Sequence, residues 1–184
     1  MSVSKEWKEK YASDYYRMTG EKYSRNLKTY VRRILCHNIR FMYWWRKNEE
    51  KETLISRGML YRMSRKYGLE ISHKAIIGEG LYLGHPYNIT VAEGTVIGNN
   101  VNLHKGCTIG RTNRGNAGTP RIGNNVYMGI NATIVGKVVI GDDVMIAPNS
   151  YINVDVPSHS VVLGNPATIH KKEYATEGYV NFLV

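Results

Sequence analysis

The 184-residue chain has 42% apolar and 22% charged residues and a formal net charge of +10, a composition that excludes disorder and fits one globular domain with a small appendage. Its longest purely apolar run, Phe41 to Trp45, is five residues against the roughly 20 that span a bilayer; Met1 to Glu6 lack a secretory signal's apolar stretch, so a cytoplasmic protein is expected. Cys36 and Cys107 lie far apart without CxxC or Cys/His ligand spacing, which argues against a disulfide framework or a zinc site.

The first of three expected segments, residues 1–68, holds the charge. Residues 1–70 contain 17 Lys and Arg against 8 Asp and Glu, whereas residues 71–184 contain 8 against 7. Leu27, Val31, Ile34, Leu35, Phe41, Met42 and Trp45 recur at three- and four-residue steps, and Leu54, Ile55, Met59 and Met63 repeat the pattern, with Gly68 as the stop. Two or three amphipathic helices follow from this. Their basic residues and aromatics suit an anionic membrane surface, which places the protein peripherally on the inner face of the membrane; packing on the rest of the chain with a solvated basic face is the alternative. Arg25, Lys28, Arg32, Arg33, Arg40, Arg46 and Lys47, with Tyr43 and Trp44, offer charges and stacking faces to nucleic acid, but no recognition motif accompanies them and no nucleic-acid partner is expected.

From Ile71 the helical period gives way to one of six: Ile71, Ile77, Leu83 and Ile89, then Val91, Ile97, Leu103 and Ile109, then Ile122, Met128, Ile134, Ile140, Ile146 and Ile152. Six is even, so equivalent residues share one face of an extended strand, and the recurring Gly, Asn and Asp allow a corner every six residues. Three strands, one per period, then close a coil, and stacked coils make a three-walled prism filled by these side chains, with ends that need caps. The repeat occupies residues 69–157. It slips by two residues between Ile89 and Val91 and breaks at residues 111–120, a Gly-rich polar stretch expected to project as a mobile loop. Residues 158–184 are read as a C-terminal cap and tail.

Among outward positions His85, beside Pro86, is a candidate general base; a solvated surface histidine is the alternative from position alone. Glu70 and Glu93 are the carboxylates available to orient it, or else solvated acids paired with Lys74 or Lys105. Register places His104 over Gly84 in the next coil, but no third ligand falls in phase, so no metal is expected.

Leu83-Gly84-His85, the stretch Ile89 to Ile97, Gly106-Cys107-Thr108-Ile109-Gly110 and Gly164-Asn165-Pro166-Ala167 resemble the hexapeptide-repeat acyltransferases, in particular the serine acetyltransferase branch, which includes sugar-modifying acetyltransferases of polysaccharide synthesis. The resemblance covers residues 69 to about 170. It implies a mainly β fold, a left-handed parallel β-helix preceded by a small helical segment, and assembly as homotrimers. It also implies an acetyl-CoA-dependent O-acetyltransferase in which His85 is the catalytic base, Glu70 stands where the family has its partner Asp, and Glu93 matches a family position at the substrate. By the same resemblance the 111–120 loop brings Arg111 and Arg114 over the substrate, while Thr112, Ile130 and Pro148 line the coenzyme A groove and Lys171, with Lys172, meets its phosphates.

This chain has Gly84 where serine acetyltransferases carry Asp before the catalytic His, and Gly118-Thr119 where they carry Arg-His before the Pro. A zwitterion needs fixed opposite charges to be desolvated, so a sugar hydroxyl of a polysaccharide or its precursor is the expected acceptor, with free serine the alternative small-molecule acceptor. A non-enzymatic trimeric binding scaffold is the remaining reading.

Overall fold

The computed structural model describes residues 6–184. Met1 to Lys5, on which most of the reading of the opening residues rests, lie outside the described residues.

Four helices precede the repeat: α1 (Glu6–Thr19), α2 (Leu27–Leu35), α3 (His37–Glu50) and α4 (Leu54–Tyr67). The period predicted two or three. It ran unbroken from Leu27 to Trp45, whereas Cys36 takes an extended conformation at φ −92° and ψ 112° and splits that stretch in two. The first helix buries Tyr11 and Tyr15 rather than aliphatics, so a search for an aliphatic period passes over it. Local chemistry marks the other boundaries. Asn26 caps α2 by accepting from the Thr29 amide, Thr53 and Ser56 form a reciprocal capping box on α4, and Gly68 ends α4 in the left-handed region at φ 66°. No helix of the described residues is long and apolar enough to cross a membrane.

The repeat forms three walls of parallel strands. Wall A stacks β1 (Leu69–Ile71), β4 (Ile89–Val91), β7 (Thr108–Gly110), β10 (Thr133–Val135) and β13 (Tyr151–Ile152). Wall B stacks β2 (Ile76–Ile77), β5 (Val96–Ile97), β8 (Arg121–Ile122) and β11 (Val139–Ile140). Wall C stacks β3 (Tyr82–Gly84), β6 (Asn102–His104), β9 (Tyr127–Met128), β12 (Val144–Ile146) and β14 (Ser160–Leu163), and β15 (Thr168–Lys171) closes it antiparallel. All fourteen residues of the six-residue period are buried, each worth about 1.5–3 kcal/mol of transfer free energy.

Register shows how the irregularities are absorbed. Val91 pairs with Ile109 and Ile134 with Ile152, each three periods further on, so the uninterrupted coil has the expected length. Ile71 pairs with Val91 and Ile89 with Leu69, which lengthens the first coil by the two slipped residues and turns both Ile89 and Val91 inward. The two extra residues therefore sit in the corner His85-Pro86-Tyr87-Asn88, before Ile89 and not after it. Ile109 pairs with Ile134, more than four periods on, because residues 111–120 leave the prism there.

Where wall B turns into wall C, a Cβ on Gly98 would lie 2.7 Å from the backbone of Gly123 in the next coil, and only glycine allows coils to stack that closely. Cys107 is fully buried and burial pushes its thiol up to about 12, while Cys36 is partly exposed. Native protein treated with a maleimide is therefore expected to carry one label, on Cys36, and to take the second only after denaturation, as intact-mass measurement would show.

The helices cover the open first coil and satisfy its unpaired carbonyls. Arg46 of α3 donates to the Ile77 oxygen at 2.9 Å and the Gly78 oxygen at 2.6 Å, Arg17 of α1 donates to Gly80, and Trp45 Nε1 donates to Ile71. Asp14 of α1 accepts the Leu81 amide at 2.8 Å and pairs with Arg46, both side chains being wholly buried. At the other end the chain beyond β15 turns back along the prism. Asp143 accepts from the Ala175 and Thr176 amides, and Val184 exchanges hydrogen bonds with Asn100, two coils earlier. The tail thus runs along a flank instead of covering the prism end.

Candidate functional site

Two ridges of the prism carry the predicted residues. On the ridge joining wall C to wall A, each corner hangs on its neighbour: the Gly106 amide donates to Tyr87, the Asn131 amide to Lys105 and the Asn149 amide to Ile130. His85, Ile130 and Pro148 are exposed along this ridge. On the ridge joining wall A to wall B lie Glu93, Arg111, Thr112 and Arg114. Within one chain wall A separates the two groups.

His85 adopts φ 47°, a left-handed conformation unusual for a residue with a side chain and further disfavoured before Pro86. Such strain persists only where the surroundings impose it. Here the wide corner is braced by α3: the His37 ring stacks on Tyr67 with centroids 4.4 Å apart, and its Nε2 lies 3.3 Å from the Pro86 carbonyl oxygen. A carbonyl only accepts, so that nitrogen carries the proton, and burial lowers the His37 pKa toward the neutral form. Nothing in the sequence pointed to His37, which lies two helices before the corner it supports. His37→Ala is expected to lower the melting temperature by a few degrees, and His37→Gln, which can still donate to the Pro86 carbonyl, to recover most of the loss; equal loss in both variants would contradict a role in holding the corner through that hydrogen bond.

His104 stands over Gly84, as register implied. A Cβ on Gly84 would lie 2.5 Å from His104 Nδ1, so the imidazole occupies the space that a side chain before His85 would fill. The ring also packs against Tyr127 at 4.8 Å and Tyr82 at 5.9 Å. Burial holds the His104 pKa below its usual value and the neighbouring His85 adds to the effect. The sign follows: the unfolded chain binds this proton more readily, so stability falls as pH drops below about 6.5. His104→Gln is expected to flatten the melting-temperature profile between pH 7 and 5. Beside the ring a cavity of about 310 Å³ opens on wall C, roofed by the tail at Tyr179 and Phe182. That wall was not legible beforehand, because the tail residues lie several coils beyond His104 in the chain.

Glu70 is exposed on β1 of wall A, paired with Thr90 one layer from the His85 corner; no hydrogen bond joins it to His85. Glu93 does not reach that corner. It pairs with Lys74 at 2.8 Å, and that hydrogen bond holds its carboxyl below the usual range. The 111–120 loop folds on itself through a Thr112–Gly118 bridge and is tied to its own ridge by the Asn116 side chain on Lys137 and Thr119 on Gly94. Arg111 and Arg114 remain exposed. Lys171 lies opposite Ser160 at the far end of β15 from the Ile130 and Pro148 ridge, so it does not continue that line. Among the described residues no three His, Cys, Asp or Glu side chains converge as metal ligands. The basic residues considered for nucleic acid do not form one surface, since Arg46 is buried on Asp14 and Arg32 is paired with Glu21.

Residues 119–153 match the family described as bacterial transferase hexapeptide (six repeats). Serine acetyltransferase 2 of Arabidopsis thaliana is 39% identical over 65% of this chain and 38% of its own length. The serine acetyltransferase of Helicobacter pylori is 35% identical over 58% of this chain and 63% of its own. The chain thus spans less than two thirds of these curated relatives. The crystal structure of Neisseria gonorrhoeae serine acetyltransferase in complex with serine superimposes with a TM-score of 0.71 at 28% identity, covering 92% of this chain and 69% of that one. With the six-residue period and the three walls in place, the chain has a left-handed parallel β-helix similar to the fold of the solved serine acetyltransferases, and its residues 119–153 carry the hexapeptide repeat.

Proposed function

We propose that the protein is an acetyl-CoA-dependent O-acetyltransferase with His85 as general base. The observation that carries this reading is the exposed imidazole, held in a strained corner on the same ridge as the apolar Ile130 and Pro148, a shelf suited to the pantetheine arm of coenzyme A. A related serine acetyltransferase has been solved in complex with CoA, at 28% identity and a TM-score of 0.59. His85 takes the proton from the acceptor hydroxyl as its oxygen attacks the thioester carbonyl. As the C–S bond breaks, the same imidazole returns that proton to the departing sulfur. We assign the orienting role to Glu70, whose strand pairs it with Thr90 on the adjoining wall.

The acceptor is serine on the strength of the relatives, which replaces the sugar hydroxyl expected from the sequence. One observation still favours a sugar as second reading: His104 fills the position from which an acid beside His85 would meet an ammonium group. Release of coenzyme A with serine and with glycan acceptors, followed by thiol titration, separates the two. Turnover with serine alone upholds the first, turnover with sugars alone the second, and turnover with neither overturns the transferase reading.

Homotrimer assembly completes the site, because one chain keeps His85 and the loop arginines on different ridges and a neighbouring prism would bring them together. Mixing His85→Asn subunits with Arg111→Ala/Arg114→Ala subunits is expected to restore part of the lost activity; no recovery in mixed oligomers would place the site within one chain. The outward stripe of α2, with Leu27 76% and Leu35 73% exposed among basic residues, supports contact with an anionic membrane surface. Leu27→Glu/Leu35→Glu is expected to abolish co-sedimentation with phosphatidylglycerol vesicles.

A further inference from the structure

A second cavity lies in the helical layer and shares no residue with the His85 corner. We infer that it binds an acidic saccharide, a sugar ring bearing a carboxylate or phosphate. Its volume of about 410 Å³ falls within the range of small-molecule sites. Trp7, Tyr11, Tyr23, Tyr30 and Tyr43 line it. Three cations join them, Lys8, Arg25 and Arg33, none of which forms an ion pair among the described residues. Arg33 instead lies across Tyr43 at 4.3 Å and Tyr30 at 5.2 Å, and Lys8 sits 5.8 Å from the Trp7 ring. Guanidinium groups without a carboxylate partner bind carboxylate and phosphate through paired N–H donors. The N-terminal turn of α2, represented by Asn26 and Thr29, also lines the cavity, holds no acidic residue and adds the positive end of its dipole. The charge therefore selects an anion.

The ring geometry selects its shape. Trp7 and Tyr43 meet at 74°, Tyr11 and Tyr23 at 74°, and Tyr11 and Tyr43 at 79°. A planar base is held between parallel faces, whereas the accessible rings of Trp7 and Tyr43 stand nearly perpendicular, with Tyr11 itself buried against Tyr23 and Tyr43. A pyranose chair presents C–H bonds in several directions, and aromatic faces, being electron-rich, attract them from each side. A quaternary ammonium would also suit an aromatic box, but the three cations repel it.

Binding is read on the whole protein without acetyl-CoA, so the result stands apart from the transferase proposal. Trigalacturonate is titrated by calorimetry beside neutral maltotriose and adenosine diphosphate, at low and at high salt. The expected result is saturable binding of trigalacturonate, at least tenfold tighter than maltotriose and weakened by salt. Arg33→Gln and Arg25→Gln should each weaken it about fivefold or more, and Trp7→Ala should abolish it, with His85→Asn unchanged. Arg25 is exposed in the loop before α2, so that variant folds even if the others do not. Equal affinity for maltotriose, tighter binding of the nucleotide, or trigalacturonate affinity untouched by Arg25→Gln would each overturn the assignment.

Discussion

His85→Asn is expected to lower acetyl transfer by about 10²- to 10⁴-fold, the range attributed to a positioned general base. Asparagine is the informative replacement because it tolerates the left-handed backbone that His85 adopts, whereas alanine is less common in that region and would mix a change in backbone strain with the loss of the imidazole. The melting temperature of His85→Asn should stay within about 2 °C of the parent, since the side chain is exposed and makes no hydrogen bond among the described residues. Initial rates of coenzyme A release at saturating donor supply the test. Retention of more than about a tenth of the rate, with an unchanged melting temperature, would remove His85 from the chemistry and leave the transfer to another base.

Arg46→Ala is expected to be the most destabilising single change outside the prism, at about 3–5 kcal/mol, because it leaves Asp14 buried and unpaired. For a chain of this size that corresponds to a fall of about 6–20 °C in melting temperature. The double variant Asp14→Leu/Arg46→Met distinguishes an ion pair from a cap. Replacing a buried pair by apolar residues of similar volume is often neutral. Here it should not be, since Arg46 also serves the Ile77 and Gly78 carbonyls and Asp14 the Leu81 amide, three backbone groups with no other strand beyond the first coil. A double variant as stable as the parent would show that the helices do not cap the prism through these groups.

Each part of the molecule was as legible as its chemistry is local. The walls could be read because a six-residue period sends the same positions inward whatever lies elsewhere, and the break at 111–120 could be read because a Gly-rich polar stretch has nothing to bury. The slip before Val91 was visible, but its place was not: only the pairing of Leu69 with Ile89 puts the extra residues in the corner that carries His85. The helix count failed where an aliphatic period met tyrosines. For the site, His85 could be singled out by its exposure and the adjoining proline, whereas His37 behind the corner could not. The contact of His104 with Gly84 was read as a stacking register, but its meaning depends on a side-chain direction that spacing does not contain.

What the amino-acid sequence determined by itself is the prism, its corners and the outward position of His85, because period, turn chemistry and burial are properties of residues and their near neighbours. Tertiary structure alone decided the division of site residues between two ridges, the return of the tail along wall C, the capping of the first coil by Asp14 and Arg46, and the aromatic cavity among the helices. Each of these joins groups distant in the chain, and their meeting depends on how whole elements pack.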